Sequence, residues 1–301
     1  MITPEYLSVG DTIGLVSTAR KITKTELEPA ILFLKNQGFN VVTPPNIYAA
    51  ENQFAGTDEQ RTEDFEYLIK HPKVKAIICT RGGYGTARII DSIDFTPLLS
   101  APKWICGYSD VTVLHAHLHN LGLKTIHSTM PINFPVDDSS NESVNTLLNA
   151  LTGKPLSYSI PNFSLNRIGQ SKGVLIGGNL SILYSLQGSI SDINTDGKIL
   201  FLEDLDEYLY HIDRMILSLK RSGKIKNLIG LIVGGMSDMH DNTVPFGKTA
   251  EEIIHESVKE FSFPVCFGFP AGHIDQNFAL KMGTEVTLSV TKESSILTFN
   301  N

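Results

Sequence analysis

The chain has 301 residues, long enough for one large or two ordinary domains, and the element pattern below favours two. Hydrophobic content of 42% and charged content of 19% are those of a soluble globular protein, and no apolar run is long enough to cross a bilayer. A formal net charge of -7, with no block of Lys and Arg, argues against a sequence-independent grip on nucleic acid.

The first residues, Met1 to Tyr6, have neither a basic nor an apolar leader segment, so no signal peptide is expected and the cytoplasm is the expected compartment. Strand-like Thr12 to Ser17 opens an alternating pattern. Thr25-x-x-Glu28 reads as a capping box starting a helix to about Gln37, and Val41 and Val42 begin a second strand. Thr57-x-x-Gln60 starts another helix, closed by Pro72 after Lys70. Val74 to Thr80 is the next strand, followed at once by Arg81-Gly82-Gly83-Tyr84-Gly85. Trp104 to Cys106 is another, turning at Gly107 into a helix that includes Val113, Leu114 and Leu118; Lys124 to His127 is the last of this half. Strands separated by helix-length segments predict a parallel sheet covered on both faces, with ligands beyond the carboxyl ends of the strands.

This N-terminal α/β domain is expected over 1–151. Residues 152–172, rich in Thr, Gly, Pro, Ser and Asn, read as a linker, and 173–301 as a second domain. In the second domain a strand precedes Gly177-Gly178-Asn179, then a helix runs from Leu180 to Leu186. Strand Ile199 to Leu202 ends in Glu203-Asp204. A helix from Tyr208 to Lys220, strand Ile229 to Val233 and a helix from Thr249 to about Phe261 follow. Val265 to Phe267 leads into Gly268-Phe269-Pro270-Ala271-Gly272-His273, and Val286 to Val290 and Ile296 to Phe299 read as an antiparallel pair.

Ser109 falls at the turn between a strand and a helix, the geometry of a nucleophile elbow, although Val111 stands where G-x-S-x-G has its second glycine. The competing reading is that Ser109 or Asp110 simply caps the helix. A serine nucleophile needs a base, a group to hold that base, and N–H donors for the oxyanion. His273, in a Gly- and Pro-rich loop after a strand, is the candidate base, against an ordinary loop histidine. Glu203, at a strand's carboxyl end, is the candidate acid, against a charged strand terminus. The order Ser109, Glu203, His273 is nucleophile, acid, base, as in α/β hydrolases. The paired glycines after Arg81 make an anion nest, or a turn with no ligand. The N–H groups of Gly83 and Asp110 are the candidate oxyanion donors. For a substrate carboxylate Arg81 and Arg88 are candidates, with Tyr84 beside them.

Other features read as structural. Only His115 and His119 of the alternating histidines share a helix face, and no His-Glu-x-x-His occurs, so no metal site is expected. Asp213-Arg214 reads as packing or a salt bridge, Gly177-Gly178-Asn179 as a turn into a capped helix. The three cysteines, Cys79, Cys106 and Cys266, are widely spaced in apolar runs and read as reduced core thiols.

Together, Phe54-Ala55-Gly56-Thr57-Asp58, Arg81-Gly82-Gly83-Tyr84-Gly85, Gly107-Tyr108-Ser109-Asp110, Gly177-Gly178-Asn179-Leu180, Leu202-Glu203-Asp204 with Asp213-Arg214, and Gly268 to His273 resemble the LD-carboxypeptidase family of serine peptidases, the muramoyltetrapeptide carboxypeptidases. The resemblance implies a flavodoxin-like N-terminal domain, a smaller barrel-like C-terminal domain, and a dimer with its site between domains. It also implies Ser109 as nucleophile, His273 as base and Glu203, rather than nearby Glu207, as acid. The implied substrate is a murein tetrapeptide losing D-alanine from an L-centre of diaminopimelate or lysine, with no metal or organic cofactor. The microcin-immunity branch, acting on adenylate-like compounds, and a non-catalytic two-lobed binding protein are the alternatives. His127-Ser128-Thr129-Met130 departs from the family's His-Gly-Pro-Met, so the wall near the site is expected to differ.

Overall fold

The computed structural model describes residues 1–135 and 141–300. They divide into two compact units, the first comprising residues 1–154 and 278–281, the second 155–277 and 282–301.

The first unit runs β1 (Thr12–Val16), α1 (Lys24–Asn36), β2 (Asn40–Val42), α2 (Asp58–Lys70), β3 (Val74–Cys79), α3 (Thr86–Ile89), α4 (Thr96–Ser100), β4 (Trp104–Gly107), α5 (Thr112–Asn120), β5 (Thr125–His127) and α6 (Glu142–Leu151). The second runs β6 (Ser157–Pro161), β7 (Gly169–Asn179), α7 (Leu180–Ser185), β8 (Ile199–Leu205), α8 (Leu209–Arg221), β9 (Gly230–Ser237), α9 (Ala250–Ser257) and β10 (Val265–Cys266). After β11 (Leu280–Met282) come β12 (Glu285–Val290) and β13 (Ser294–Phe299).

β2, β1, β3, β4 and β5 lie side by side in that order, all parallel, with β11 beyond β5. The order 2-1-3-4-5 is the flavodoxin-like doubly wound arrangement. Every residue of β1 and β4 is buried, as strands covered by helices on both faces require. Cys79, Cys106 and Cys266 are free and buried; burial pushes the Cys79 thiol up to about 12 and Cys266 to about 11, so they are inert packing groups.

The second sheet has the order β10-β9-β8-β7-β12-β13-β6. β7 to β10 are parallel, while β12, β13 and β6 join antiparallel. The two ends of the sheet are tied: β6 ends at Pro161, and a little further on Arg167 makes an antiparallel bridge to Val265 of β10. The sheet is thereby rolled toward a barrel.

Besides α3, α4, α6 and β11, which have no counterpart in the sequence reading, three stretches depart from it. The first helix is capped by Thr23, which accepts the Glu26 N–H while the Glu26 carboxylate takes the Thr23 N–H, rather than by Thr25 and Glu28. Both spacings fit a capping box, and the helix buries Leu27, Ala30, Ile31 and Leu34 along one face. Residues 152–172 hold β6 and the start of β7 as well as connecting chain. The alternation of exposed Ser157 and Ser159 with buried Tyr158 and Ile160 is a strand pattern that the surrounding prolines and serines obscure. The ninth helix stops at Ser257, short of Phe261, because the Val258 N–H reaches the carbonyls of both Ile254 and His255 and tightens the last turn.

Candidate active site

β4 delivers the chain to a turn in which Ser109 has φ 64°. Among the described residues the other left-handed non-glycines are Asn52, Asp206 and Asp238, of types that tolerate this region. A serine there is held by its surroundings, at a cost of roughly 1–2 kcal/mol. The Gly107 carbonyl accepts from the Ser128 N–H at 3.0 Å and from His115 Nε2 at 2.9 Å. Burial lowers the His115 pKa to about 4, so the ring is neutral: Nε2–H donates to the carbonyl and Nδ1 accepts from the Thr125 hydroxyl at 2.8 Å. Val111, where the elbow motif has glycine, is fully buried and packs against the α-carbon of Gly107. Asp110 is 1% exposed and its Oδ2 accepts the Thr86 N–H at 2.8 Å, while burial raises its pKa. At the start of a helix the Asp110 N–H has no intrahelical acceptor. The capping alternative fails, since neither side chain caps the helix that begins here.

The glycine loop lies against this turn. A methyl group on Gly82 would fall 2.8 Å from Ser109 Cβ and 2.9 Å from its Oγ, with Met130 Cε at 3.6 Å. Only glycine allows that approach. Gly83, at φ 114°, has its α-face against Arg20. Met130, which the family pattern shares, lies beside this approach, and the altered position Ser128 meets the turn through its backbone N–H to the Gly107 carbonyl.

In the second unit Glu203 sits at a bulge, where the β8–β9 register shifts between Leu202 and Asp204. Its side chain is wholly buried, and Oε2 lies 2.7 Å from His273 Nδ1 and 3.3 Å from the His273 N–H. The pair assigns the proton of the neutral ring to Nδ1 and the lone pair to Nε2, the form a general base needs. The loop can lie this close because residue 272 is glycine; a Cβ there would meet Glu203 at 2.7 Å. Ser237 Oγ donates to the His273 carbonyl at 2.7 Å, fixing the loop from β9.

Behind Glu203, Asp204 accepts from Asn179 Nδ2, Ser181 N and Leu205 N, each at 2.9 Å. Burial, reinforced by the neighbouring Glu203 carboxylate, pushes its pKa up to about 7. Asn179 also caps α7 through the Ile182 N–H, the structural role its sequence context indicated. Glu207 pairs instead with His211, at 2.5 Å, and Arg214 lies over the Tyr210 ring.

The candidate carboxylate binders are partly committed. Arg88 forks Asp58, with Nη2 at 2.7 Å from Oδ2 and Nε at 3.0 and 3.1 Å from the two oxygens. Arg81 makes longer contacts, 3.2 Å to the Lys21 carbonyl and 3.4 Å to Glu26. Tyr84 is 52% exposed, its ring 6.2 Å from that of Phe54. Sequence reading missed His115, Arg61 and Asp204 as supports of the site. The one signal available was polar residues in otherwise apolar or helical runs, which does not reveal a partner.

The LD-carboxypeptidase N-terminal domain pattern matches residues 13–128 and the C-terminal domain pattern residues 172–288. The probable murein peptide carboxypeptidase of Bacillus subtilis (strain 168) is 32% identical over 302 residues, covering 98% of this chain and 93% of that one. The Microcin C7 self-immunity protein of Escherichia coli is 26% identical over 327 residues, covering 97% and 94%. The crystal structure of muramoyltetrapeptide carboxypeptidase from Oxalobacter formigenes superimposes with a TM-score of 0.89 at 27% identity, covering 96% of this chain and 99% of that one. With both domain patterns matched and a 32% identical relative over nearly its whole length, the chain belongs to the LD-carboxypeptidase family of peptidase hydrolases.

Proposed function

We propose that this protein is a serine-type LD-carboxypeptidase that removes the C-terminal D-alanine of murein tetrapeptides, working as a homodimer in cytoplasmic peptidoglycan recycling without a cofactor. The observation that carries the reading is Ser109 held at φ 64° on a strand-to-helix turn, a strained geometry with no evident structural purpose. The buried Glu203–His273 pair supports it, as do the names of the relatives.

In this reading Ser109 attacks the carbonyl of the L,D amide and His273 takes its proton. The backbone N–H groups of Gly83 and Asp110 stabilise the oxyanion, a single such donor being worth roughly 3 to 4 kcal/mol. His273 then protonates the departing D-alanine amine, and water releases the acyl-enzyme. Glu203 holds the ring and stabilises its charged form. Arg81 is the proposed group for the substrate carboxylate, because its present contacts are longer than the Arg88–Asp58 fork.

The test is release of D-alanine from L-Ala-D-Glu-diaminopimelate-D-Ala, with the lysine tetrapeptide, a D-Ala-D-Ala pentapeptide and Ser109→Ala in parallel. Release from a tetrapeptide only, lost in the variant by up to about a millionfold in kcat, is the expected result. The match to the microcin self-immunity protein, 26% identical over 97% of this chain, favours one second reading, hydrolysis of an aminoacyl- or peptidyl-adenylate-like compound. Cleavage of that compound, with neither tetrapeptide cut, would establish it. A protein that turns over nothing and resists a fluorophosphonate probe would be the binding protein instead.

A further inference from the structure

Arg61 lies on α2 and is 1% exposed. A guanidinium is buried at a high cost unless its donors are met. Here Nη1 donates to the carbonyls of Thr18 at 2.7 Å and Gly85 at 2.9 Å, and Nη2 pairs with Asp58, so both terminal nitrogens are met while Nε has no hydrogen-bond partner among the described residues. Gly85 ends the glycine loop, and a Cβ there would fall 2.6 Å from Arg61 Nη1. The next residue, Thr86, gives its hydroxyl to Thr18 Oγ1 at 2.9 Å and its N–H to Asp110 at 2.8 Å. Asp110 follows Ser109. A continuous series of hydrogen bonds therefore runs from α2, through the end of the glycine loop, to the residue beside the serine. Its outer side is braced as well: Arg88 forks Asp58, and the Arg61 and Arg88 guanidiniums lie 5.1 and 5.6 Å from the centre of the Phe54 ring.

We propose that Arg61 is a positioning residue of the hydrolysis. Through Gly85, Thr86 and Asp110 it sets the relation between the glycine loop and the turn that presents Ser109. The inference rests on the serine reading above but not on the identity of the peptide. Arg61 touches neither Ser109 nor the proposed oxyanion donors. Its effect is on alignment, where an error of about 1 Å costs on the order of 100-fold.

The experiment compares Arg61→Lys and Asp58→Asn with wild type in the full-length chain, reading kcat, KM, folded fraction by circular dichroism, and the rate of fluorophosphonate labelling at Ser109. Lysine keeps the charge but lacks the fork that spans two carbonyls and a carboxylate. In Arg61→Lys, kcat and the labelling rate are expected to fall roughly 10- to 100-fold with KM changed less than about threefold. Asp58→Asn is expected to show a smaller fall in the same two quantities, with the folded fraction intact. Unchanged kcat and labelling rate, or losses that only track unfolded protein, overturn the proposal. Should Arg61→Lys fail to fold, Asp58→Asn decides by the same criteria. Wild type that labels at Ser109 yet releases no D-alanine refutes the substrate and leaves the labelling rates to judge Arg61. Wild type that neither labels nor turns over removes the serine reading and this role together.

Discussion

At the scale of single residues, strain and function are separable at Ser109. Glycine removes the left-handed penalty of roughly 1–2 kcal/mol, offset by its own chain entropy of roughly 0.5–1 kcal/mol. Ser109→Gly is therefore expected to be inactive yet about 0.5 kcal/mol more stable than Ser109→Ala in urea unfolding; a less stable glycine variant would mean the turn is not strained. Gly82→Ala is expected to displace Ser109, lowering kcat at least about 10-fold while costing about 1–3 kcal/mol. Asp204 gives a pH signature. Its carboxyl titrates near 7 in the folded chain against 3.8 for a free one. Between those values the folded chain keeps a proton that the unfolded chain has lost, so stability declines as pH rises, by up to about 1.4 kcal/mol per pH unit. Asp204→Asn should flatten that slope; an unaltered slope between about pH 5 and pH 7 would show that Asp204 is ionised throughout. The proposed residues each carry a local signal legible in the sequence: Ser109 stands at a strand-to-helix turn, Glu203 near the carboxyl end of β8, and His273 in a glycine-rich loop. Arg61 and His115 carry none, because their partners, Thr18, Gly85 and Thr125, are fixed by packing.

At the scale of elements, periodicity placed most strands and the longer helices, while α3, α4, α6, β6 and β11 have no counterpart in the sequence reading and other differences lie at element ends. The first helix offers two overlapping capping boxes, and local chemistry cannot rank them. Thr23→Ala is expected to cost about 1 kcal/mol of stability, whereas exposed Thr25→Ala should stay within about 0.5 kcal/mol. Equal effects in thermal unfolding would contradict the cap assignment. β6 was read as connecting chain because its outward positions are serines and it ends in proline. Those are the residues an edge strand tolerates, and β6 is the edge.

At the scale of the whole molecule, the chain visits its first unit twice. β11 comes from residues far along the sequence, yet it covers the β5 edge of the first sheet. A fragment of residues 1–154 leaves that edge open and is expected to aggregate, while the same fragment with 278–282 joined by a short flexible linker should remain monomeric in sedimentation. Equal behaviour of the two would mean the edge strand is dispensable. What the sequence determined by itself was local: the alternation of strands and helices, the two-domain α/β class, and the turn and strand positions of the proposed Ser109, Glu203 and His273. Short-range periodicity and turn chemistry encode these directly. Tertiary structure alone decided which glycine touches Ser109, that Arg61 braces the glycine loop, and that residues after 277 complete the first sheet. Each of these joins groups distant in the chain, whose meeting depends on how the sheets and helices pack.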